Sequence, residues 1–551
     1  MNVPLLTVTA AVPAVGAILT AAVPAARRTA AKWLALLFSL ATLALAVLVA
    51  IRFEPGGDRY QLTESHAWIP DFGVRYELGV DGIGVALIAL TALLIPFVIG
   101  AGWNDADPSP DSPLRSSGGG PGETRTGPDS SFAAGRWRPT QGFFALILLV
   151  EAMVIISFEA TDVFLFYIFF EAMLIPMYFL IGGFGDRAHT GSEENAAAQR
   201  SYAAVKFLLY NLVGGLIMLA AVIGLYVVAG NFSLQEIAAA RAAGTLDMAT
   251  NTERLLFLGF FFAFAVKAPL WPLHTWLPNA MGESTAPVAV LITAVVDKVG
   301  TFAMLRFCLG LFPDASKWAT PVILVLALIS IVYGALVAVG QRDIKRLVAY
   351  ASISHFGFIV LGIFAMTSQG QSGATLYMVN HGISTAALML VAGFLISRRG
   401  SRLIADYGGV QKVAPVLAGT FLIGGLATLS LPGLAPFVSE FLVLVGTFAR
   451  YPVVGVIATV GIVLAALYTL VLYQRTMTGP VKEEVRTMPD LHLREVLVVA
   501  PLIVLLIGLG VYPKPLTEIV NPAVKHTMSD VKQTDPKPEV VVDAKNGEAA
   551  K

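Results

Sequence analysis

The chain has 551 residues, 37 of them basic and 37 acidic, so its formal net charge is zero and no electrostatic case exists for nucleic acid or a strongly acidic partner. Hydrophobic residues make up 56%, charged residues only 13%, and mean hydropathy is +0.74, which excludes an ordinary soluble domain with its roughly 25% charged residues. The single cysteine, Cys308, excludes an internal disulfide and any all-cysteine iron–sulfur cluster held by this chain alone.

The composition instead predicts an all-α polytopic membrane protein, because apolar runs of roughly 16 to 25 residues, the length a bilayer core asks of a helix, recur about fourteen times. The first, 5–23, has no basic region ahead of it and reads as a retained span rather than a cleaved signal. Spans at 33–51 and 82–101 follow. Next comes the Pro/Gly/Ser-rich stretch "DPSPDSPLRSSGGGPGETRTGPDSS", which cannot build a core and reads as a flexible loop. Five spans come after it, at 142–158, 163–182, 204–228, 255–277 and 287–312, with "NFSLQEIAAARAAG" (231–244) as a short amphipathic helix between the third and fourth of them. Five more lie at 319–339, 347–366, 375–396, 414–448 and 453–473, and the last at 496–511. The 414–448 run is too long for one straight span and carries "LPGLAP" (431–436), so it reads as a helix broken midway.

The implied organisation is three spans over 1–103, a polar flexible loop over 104–141, a five-span unit over 142–312 and a second over 313–476. A cytoplasmic segment with the last span (477–514) and a polar, mobile tail (515–551) complete it. The clusters Arg27/Arg28/Lys32, Arg342/Lys345/Arg346 and Arg398/Arg399/Arg402 all fall on one side of this count. By the positive-inside tendency that side is cytoplasmic and both termini are external, although the opposite loop 52–77 also carries Arg52, Arg59 and Arg75.

Among the ionisable residues inside the spans, ten are singled out: Glu151, Glu171, Lys206, Lys267, Asp297, Lys298, Arg306, His355, His381 and Glu440. A charge near a bilayer centre costs at least ~2.5 to 3.5 kcal/mol even on the mildest scale, and a series of such groups suggests an ion or proton path. Bland alternatives exist. Arg306 sits near a span end and is long enough to snorkel to the interface. His355 and His381 each read as neutral rings satisfied by a neighbouring carbonyl. Asp297 is adjacent to Lys298, so it points to a different helix face and has no evident partner. Glu171, Lys267, Lys298 and Glu440, near the middles of their spans, are the strongest functional candidates. Burial weakens a lysine's hold on its proton and an acidic neighbour restores it, so moving the neighbour moves the proton.

In "FAFAVKAPLWPLHTWLPNA" (262–280), Pro269 and Pro272 remove helix hydrogen bonds beside Lys267 and are expected to free the carbonyls of Ala265 and Ala268; Pro432 should do the same for Thr428 near Glu440. Interruptions at matching places predict two inverted five-helix repeats, each containing a broken helix, with the ion sites near the midplane.

Four stretches carry a resemblance to a known family: "LFYIFFEAMLIPMYFLIGGFG" (165–185), "KAPLWPLHTWLPNAMGESTAPVAVLITAVVDKVGTFAMLRF" (267–307), "QRDIKRLVAYASISHFGFIVLG" (341–362) and "LSLPGLAPFVSEFLVLVGTF" (429–448). Together they resemble the antiporter-like membrane subunits of respiratory complex I, the bacterial NADH:quinone oxidoreductase, from "LGVDGIG" (78–84) to about residue 512. Within that family the acid Glu440 in broken span twelve is similar to the M branch, where the L and N branches carry lysine. The resemblance implies that Glu171 pairs with Lys267, that Lys298 is the central lysine, that His355 and His381 lie between it and Glu440, and that Glu440 is the exit-side group. Glu151 and Lys206 match residues with supporting roles. The 104–138 loop, "GESTAPV" and Asp297 depart from the family's usual pattern.

The implied function is a proton-translocating membrane subunit of NADH:quinone oxidoreductase, an enzyme only as part of that translocase. No metal or cofactor is expected in this chain, flavin and iron–sulfur clusters being expected in partner subunits. The expected partners are the L- and N-type antiporter-like subunits and the lipid bilayer of a bacterial cell membrane, with no nucleic acid. Two other classes share features of the sequence: a subunit of a multisubunit cation/proton antiporter, which has no redox partner, and a non-conducting membrane scaffold.

Overall fold

The computed structural model describes residues 4–107, 139–185 and 193–537. Most of the predicted polar loop 104–141, and residues 538–551 of the predicted tail, lie outside the described residues.

The N-terminal helices are α1 (Leu5–Ala22), α2 (Arg28–Arg52) and α3 (Gly82–Ala101). The next group comprises α4 (Pro139–Glu159), α5 (Val163–Gly183), α6 (Glu193–Ala229), the short α7 (Leu234–Ala242), α8 (Thr250–Lys267), α9 (Leu277–Glu283) and α10 (Ala286–Leu309). Then follow α11 (Pro313–Val339), α12 (Ile344–Phe364), α13 (Ser368–Arg399), α14 (Pro415–Thr428), α15 (Ala435–Arg450), α16 (Pro452–Met477), α17 (Leu493–Val511) and α18 (Lys514–Asp530). Twelve helices among the described residues are long and apolar enough to cross a membrane. The other two predicted spans are the ones that break, into α8 and α9 and into α14 and α15.

Local chemistry sets the starts of these helices. Asp81, Asp162 and Asp343 each accept backbone N–H bonds from the first turn of α3, α5 and α12, at 2.7 to 3.2 Å. Such caps satisfy donors that would otherwise be orphaned at the ends of a span.

The structure departs from the sequence expectation in four places. The 52–77 loop contains strand β1 (Gln61–Ile69), antiparallel to β2 (Val74–Val80), so among the described residues the helical bundle carries one β-hairpin. The hairpin is useful to the bundle, since Glu64 accepts the Leu6 and Thr7 amides at 2.8 and 3.2 Å and caps α1. The tail does not stay loose over 514–530: α18 buries Val520, Val524 and Met528, and Arg59 grips Asp530 through two bonds of 3.0 and 2.6 Å. The Ala265 carbonyl beside Lys267 is not left free, because Leu270 N bonds it at 3.0 Å, while the Trp276 indole takes Val266 O at 3.0 Å. Backbone groups released by a proline at membrane depth find other donors, since leaving them bare costs several kcal/mol. Finally, Arg306 does not snorkel. It is buried, pairs with Asp81 at 3.0 Å and donates to Phe158 O at 2.9 Å, which ties α10 to α3 and α4.

Helix α10 is wholly enclosed and α12 and α13 nearly so, whereas α2, α6, α16 and α17 present mostly exposed apolar faces, as outer helices of a membrane protein do. The basic clusters converge at one end of the bundle. There Arg402 bridges Asp343 at 2.7 Å and Glu283 at 2.9 Å, Arg398 pairs with Glu495, and Lys32 meets Asp107 at 2.6 Å. The hairpin and α18 occupy the other end.

Candidate functional site

The three most enclosed helices bring the ionisable residues together. Lys298 (α10) is fully buried, and its Nζ lies 2.7 Å from Nδ1 of His381 (α13) and 4.1 Å from the Phe356 ring centroid. The His381 ring is 5.2 Å, centroid to centroid, from that of His355 (α12). Nε2 of His355 is 3.4 Å from the Tyr468 hydroxyl on α16, and its ring lies 5.8 Å from Tyr377. Tyr377 in turn donates to Glu440 Oε2 at 3.1 Å, and Ser430 in the break before α15 donates to the same oxygen. Lys298, His381 and His355 thus follow one another directly, Tyr377 stands between His355 and Glu440, and Tyr468 and Ser430 hold the two ends of that last step.

Ser430 holds this contact at a cost. Its φ is +61°, a left-handed conformation worth roughly 1–3 kcal/mol of strain for a residue with a Cβ, and it sits where the chain turns between α14 and α15. The break therefore does more than interrupt a helix. It aims a hydroxyl at the Glu440 carboxylate.

Lys267, the last residue of α8, is arranged differently. Its Nζ donates to Phe170 O at 2.8 Å and lies 3.8 Å from the Phe170 ring centroid. The expected pairing with Glu171 is therefore a neighbourhood and not an ion pair: the bonded carbonyl belongs to the residue before Glu171, and no salt bridge joins the two side chains among the described residues. A desolvated cation–π contact contributes about 2 kcal/mol and a bond from a charged donor about 1.5–3, together enough to offset the membrane cost of the ammonium. Among the described residues Glu171 Oε1 has no hydrogen-bond partner, and the carboxylate nests against Gly215 of α6, where a Cβ would overlap it.

Glu151 and Lys206 are not joined to this line. Among the described residues both oxygens of the fully buried Glu151 lack partners, and Lys206 bonds Asn279 Oδ1 on α9 at 3.2 Å. The sequence reading missed Tyr377, Tyr468, Ser430 and the buried His274, whose ring packs on Tyr333 in the break after α8. Tyr377 was findable, because Tyr377, Asn380 and His381 form a polar stripe at i, i+3, i+4. Tyr468 carries no such signal. No group of three or more His, Cys, Asp or Glu placed to hold a metal occurs among the described residues.

A multi-pass helical bundle with titratable side chains buried along its centre and two helices broken beside them defines a membrane subunit of the ion-translocating class. The chain belongs to the NADH:quinone oxidoreductase/Mrp antiporter transmembrane family, whose model matches residues 160–465. It is 57% identical over 546 residues to NADH-quinone oxidoreductase subunit M of Mycobacterium tuberculosis, covering 98% of this chain and 96% of that one. It is 36% identical over 515 residues to the subunit M of Rhodobacter capsulatus, covering 92% of each. Among solved structures, a chain of respiratory complex I from Thermus thermophilus superposes with a TM-score of 0.80 at 29% identity, over 96% of this chain and 99% of that one. A chain of the Mrp complex from Dietzia sp. DQ12-45-1b shares the fold at a TM-score of 0.79 and 20% identity, over 97% and 100%.

Proposed function

We propose that the chain is a proton-translocating membrane subunit of an NADH:quinone oxidoreductase, driven by redox chemistry in other subunits. The observation that carries this is the contact series from Lys298 through His381 and His355 to the tyrosines and Glu440 in the enclosed core. Family membership supplies the redox context.

The proton's path follows from the donors and acceptors. A charge change arriving laterally from a neighbouring subunit moves the Glu171 carboxylate relative to Lys267, which releases its proton towards Lys298. The Lys298 ammonium then donates to His381 Nδ1, which requires the neutral ring to carry its proton on Nε2, where the Thr385 hydroxyl at 3.2 Å accepts it. From His381 the proton passes by His355 to Glu440. Helix α15 runs from Glu440 to Arg450, which bonds Gln533 just beyond α18, so the exit is at the hairpin end. Glu151 and Lys206 hold supporting positions away from this line.

The basic clusters make their own end cytoplasmic and both termini external. The units 142–312 and 313–476 are inverted repeats on this account, as the matching breaks suggest. The L- and N-type subunits are the flanking partners in a bacterial cell membrane, and flavin and clusters reside in other subunits. A cation/proton antiporter shares the fold, and the higher identity to the oxidoreductase relatives favours the latter.

The test is Lys298→Ala in the assembled complex, reading NADH-driven proton uptake by inverted vesicles. The expected loss is roughly tenfold or more, within what a positioned acid–base group contributes. A non-conducting scaffold predicts uptake equal to wild type. Orientation is checked with an impermeant thiol reagent on intact cells carrying Cys308→Ser with Ser397→Cys or Lys525→Cys. Labelling at 525 and not at 397 is expected, and the reverse overturns the orientation.

A further inference from the structure

The relay just described has no side-chain contact between Lys267 and Lys298. Lys298 turns towards α13 and His381, while Lys267 turns towards Phe170 on α5. Between them the fold buries a carboxylate that the mechanism has not used. Asp297 directly follows a π-helical turn, Leu291–Val296, in α10. Insertions of this kind re-aim the side chains that follow them and recur at functional sites.

Three observations fix where Asp297 looks. It is fully buried, and among the described residues neither carboxylate oxygen has a hydrogen-bond partner. Gly300, one turn on along the same helix face, packs directly on the end of α8: a Cβ there would come within 2.9 Å of Phe264 O and 3.0 Å of Ala268 N. Asp297 thus stands on the face of α10 that meets the terminal turn holding Lys267. Among the described residues, the charged groups that act on it are Lys298 and Lys267.

We propose that Asp297 is the group that carries the proton from Lys267 to Lys298. The inference rests on the proton-relay reading of the site and supplies its missing link. The Lys267 ammonium gives a proton to the Asp297 carboxylate, leaving a neutral amine and a neutral acid. The acid then gives that proton to a neutral Lys298 amine, restoring the carboxylate and forming the ammonium that faces His381. One proton moves and no other reactant is needed. An aspartate suits the task because its protonated form both donates and accepts, whereas a bare buried carboxylate with no bonded donor costs several kcal/mol to keep.

The experiment compares Asp297→Asn, Asp297→Glu and Lys298→Ala in the native complex, measuring proton uptake by inverted vesicles per assembled complex over a range of pH. The expected result is that the asparagine variant loses uptake as far as Lys298→Ala does, by roughly tenfold, while glutamate recovers part of it with an altered pH profile. Asp297→Ser, smaller and equally unable to titrate, gives the same comparison if the asparagine variant does not assemble. Wild-type uptake in the asparagine or serine variant, with Lys298→Ala impaired, overturns the role of Asp297 and leaves the relay standing. Wild-type uptake in Lys298→Ala overturns the relay itself.

Discussion

From Lys298 to Glu440 the buried polar side chains meet one another across α10, α13, α12 and α15, whereas around Lys267 the polar groups face carbonyls, rings or nothing. His381 holds Lys298, a tyrosine holds His355, and Tyr377 and Ser430 hold Glu440. On the other side, Lys267 bonds a backbone oxygen, and among the described residues Glu171 Oε1 and both Asp297 oxygens lack hydrogen-bond partners. Satisfied networks in a low-dielectric interior are rigid, and groups left without a partner there feel a nearby charge strongly because little screens it. The bonded half therefore sets a route, while the loose half is where an incoming charge can act. Glu171 is also only half-buried, beside exposed apolar side chains of α6 such as Val213 and Leu216, on a flank open to a neighbouring subunit.

This contrast can be broken first on the loose side. Glu171→Gln keeps the shape and removes the charge that acts on Lys267, so coupled quinone reductase activity should fall on the order of tenfold or more with assembly intact. Membranes holding normal amounts of complex and normal activity would show that Glu171 is not the trigger. Gly215→Ala reaches the same group indirectly, since its Cβ occupies the place of the carboxylate. It should impair pumping nearly as much, and an unimpaired complex would mean that Glu171 works equally well elsewhere.

On the bonded side the effects should be smaller and graded. Glu440→Lys retains an exchangeable proton and should keep part of the uptake, but a cation in place of an acid disturbs the buried histidines and prevents full recovery. Tyr377→Phe removes one hydroxyl from a carboxylate that still has Ser430, and should slow pumping by about fivefold at most, the equivalent of ~1 kcal/mol. A complete loss on Tyr377→Phe would move that tyrosine from supporting Glu440 into the path itself.

The same contrast marks what the sequence made legible. Span lengths and caps are local, so α3 starts and ends at the predicted 82–101, and the two proline-bearing runs do break. Lysines and acids in apolar runs announce themselves, which is why Lys298, His355, His381 and Glu440 could be named before their proximity was known. Tyr468 could not, because an aromatic in a span is ordinary and its contact with His355 spans 113 residues of chain. Nor could the left-handed Ser430, whose conformation is fixed by the break around it. The bond from Lys267 to Phe170 O was hidden for another reason: the charge of Glu171 suggested a salt bridge, and only the packing of α8 on α5 reveals the nearer carbonyl. Helix α18 looked like a loose tail because its mean polarity hides one apolar face, Val520, Val524 and Met528.

The central claim, that the bonded line ends in a proton-exchanging Glu440, is tested most directly by Glu440→Gln. Glutamine can still accept from Tyr377 and Ser430 and so preserves the structure, but it cannot take up or release a proton. With proton uptake by inverted vesicles normalised to assembled complex, the account predicts a loss on the order of tenfold. Uptake equal to wild type would contradict it.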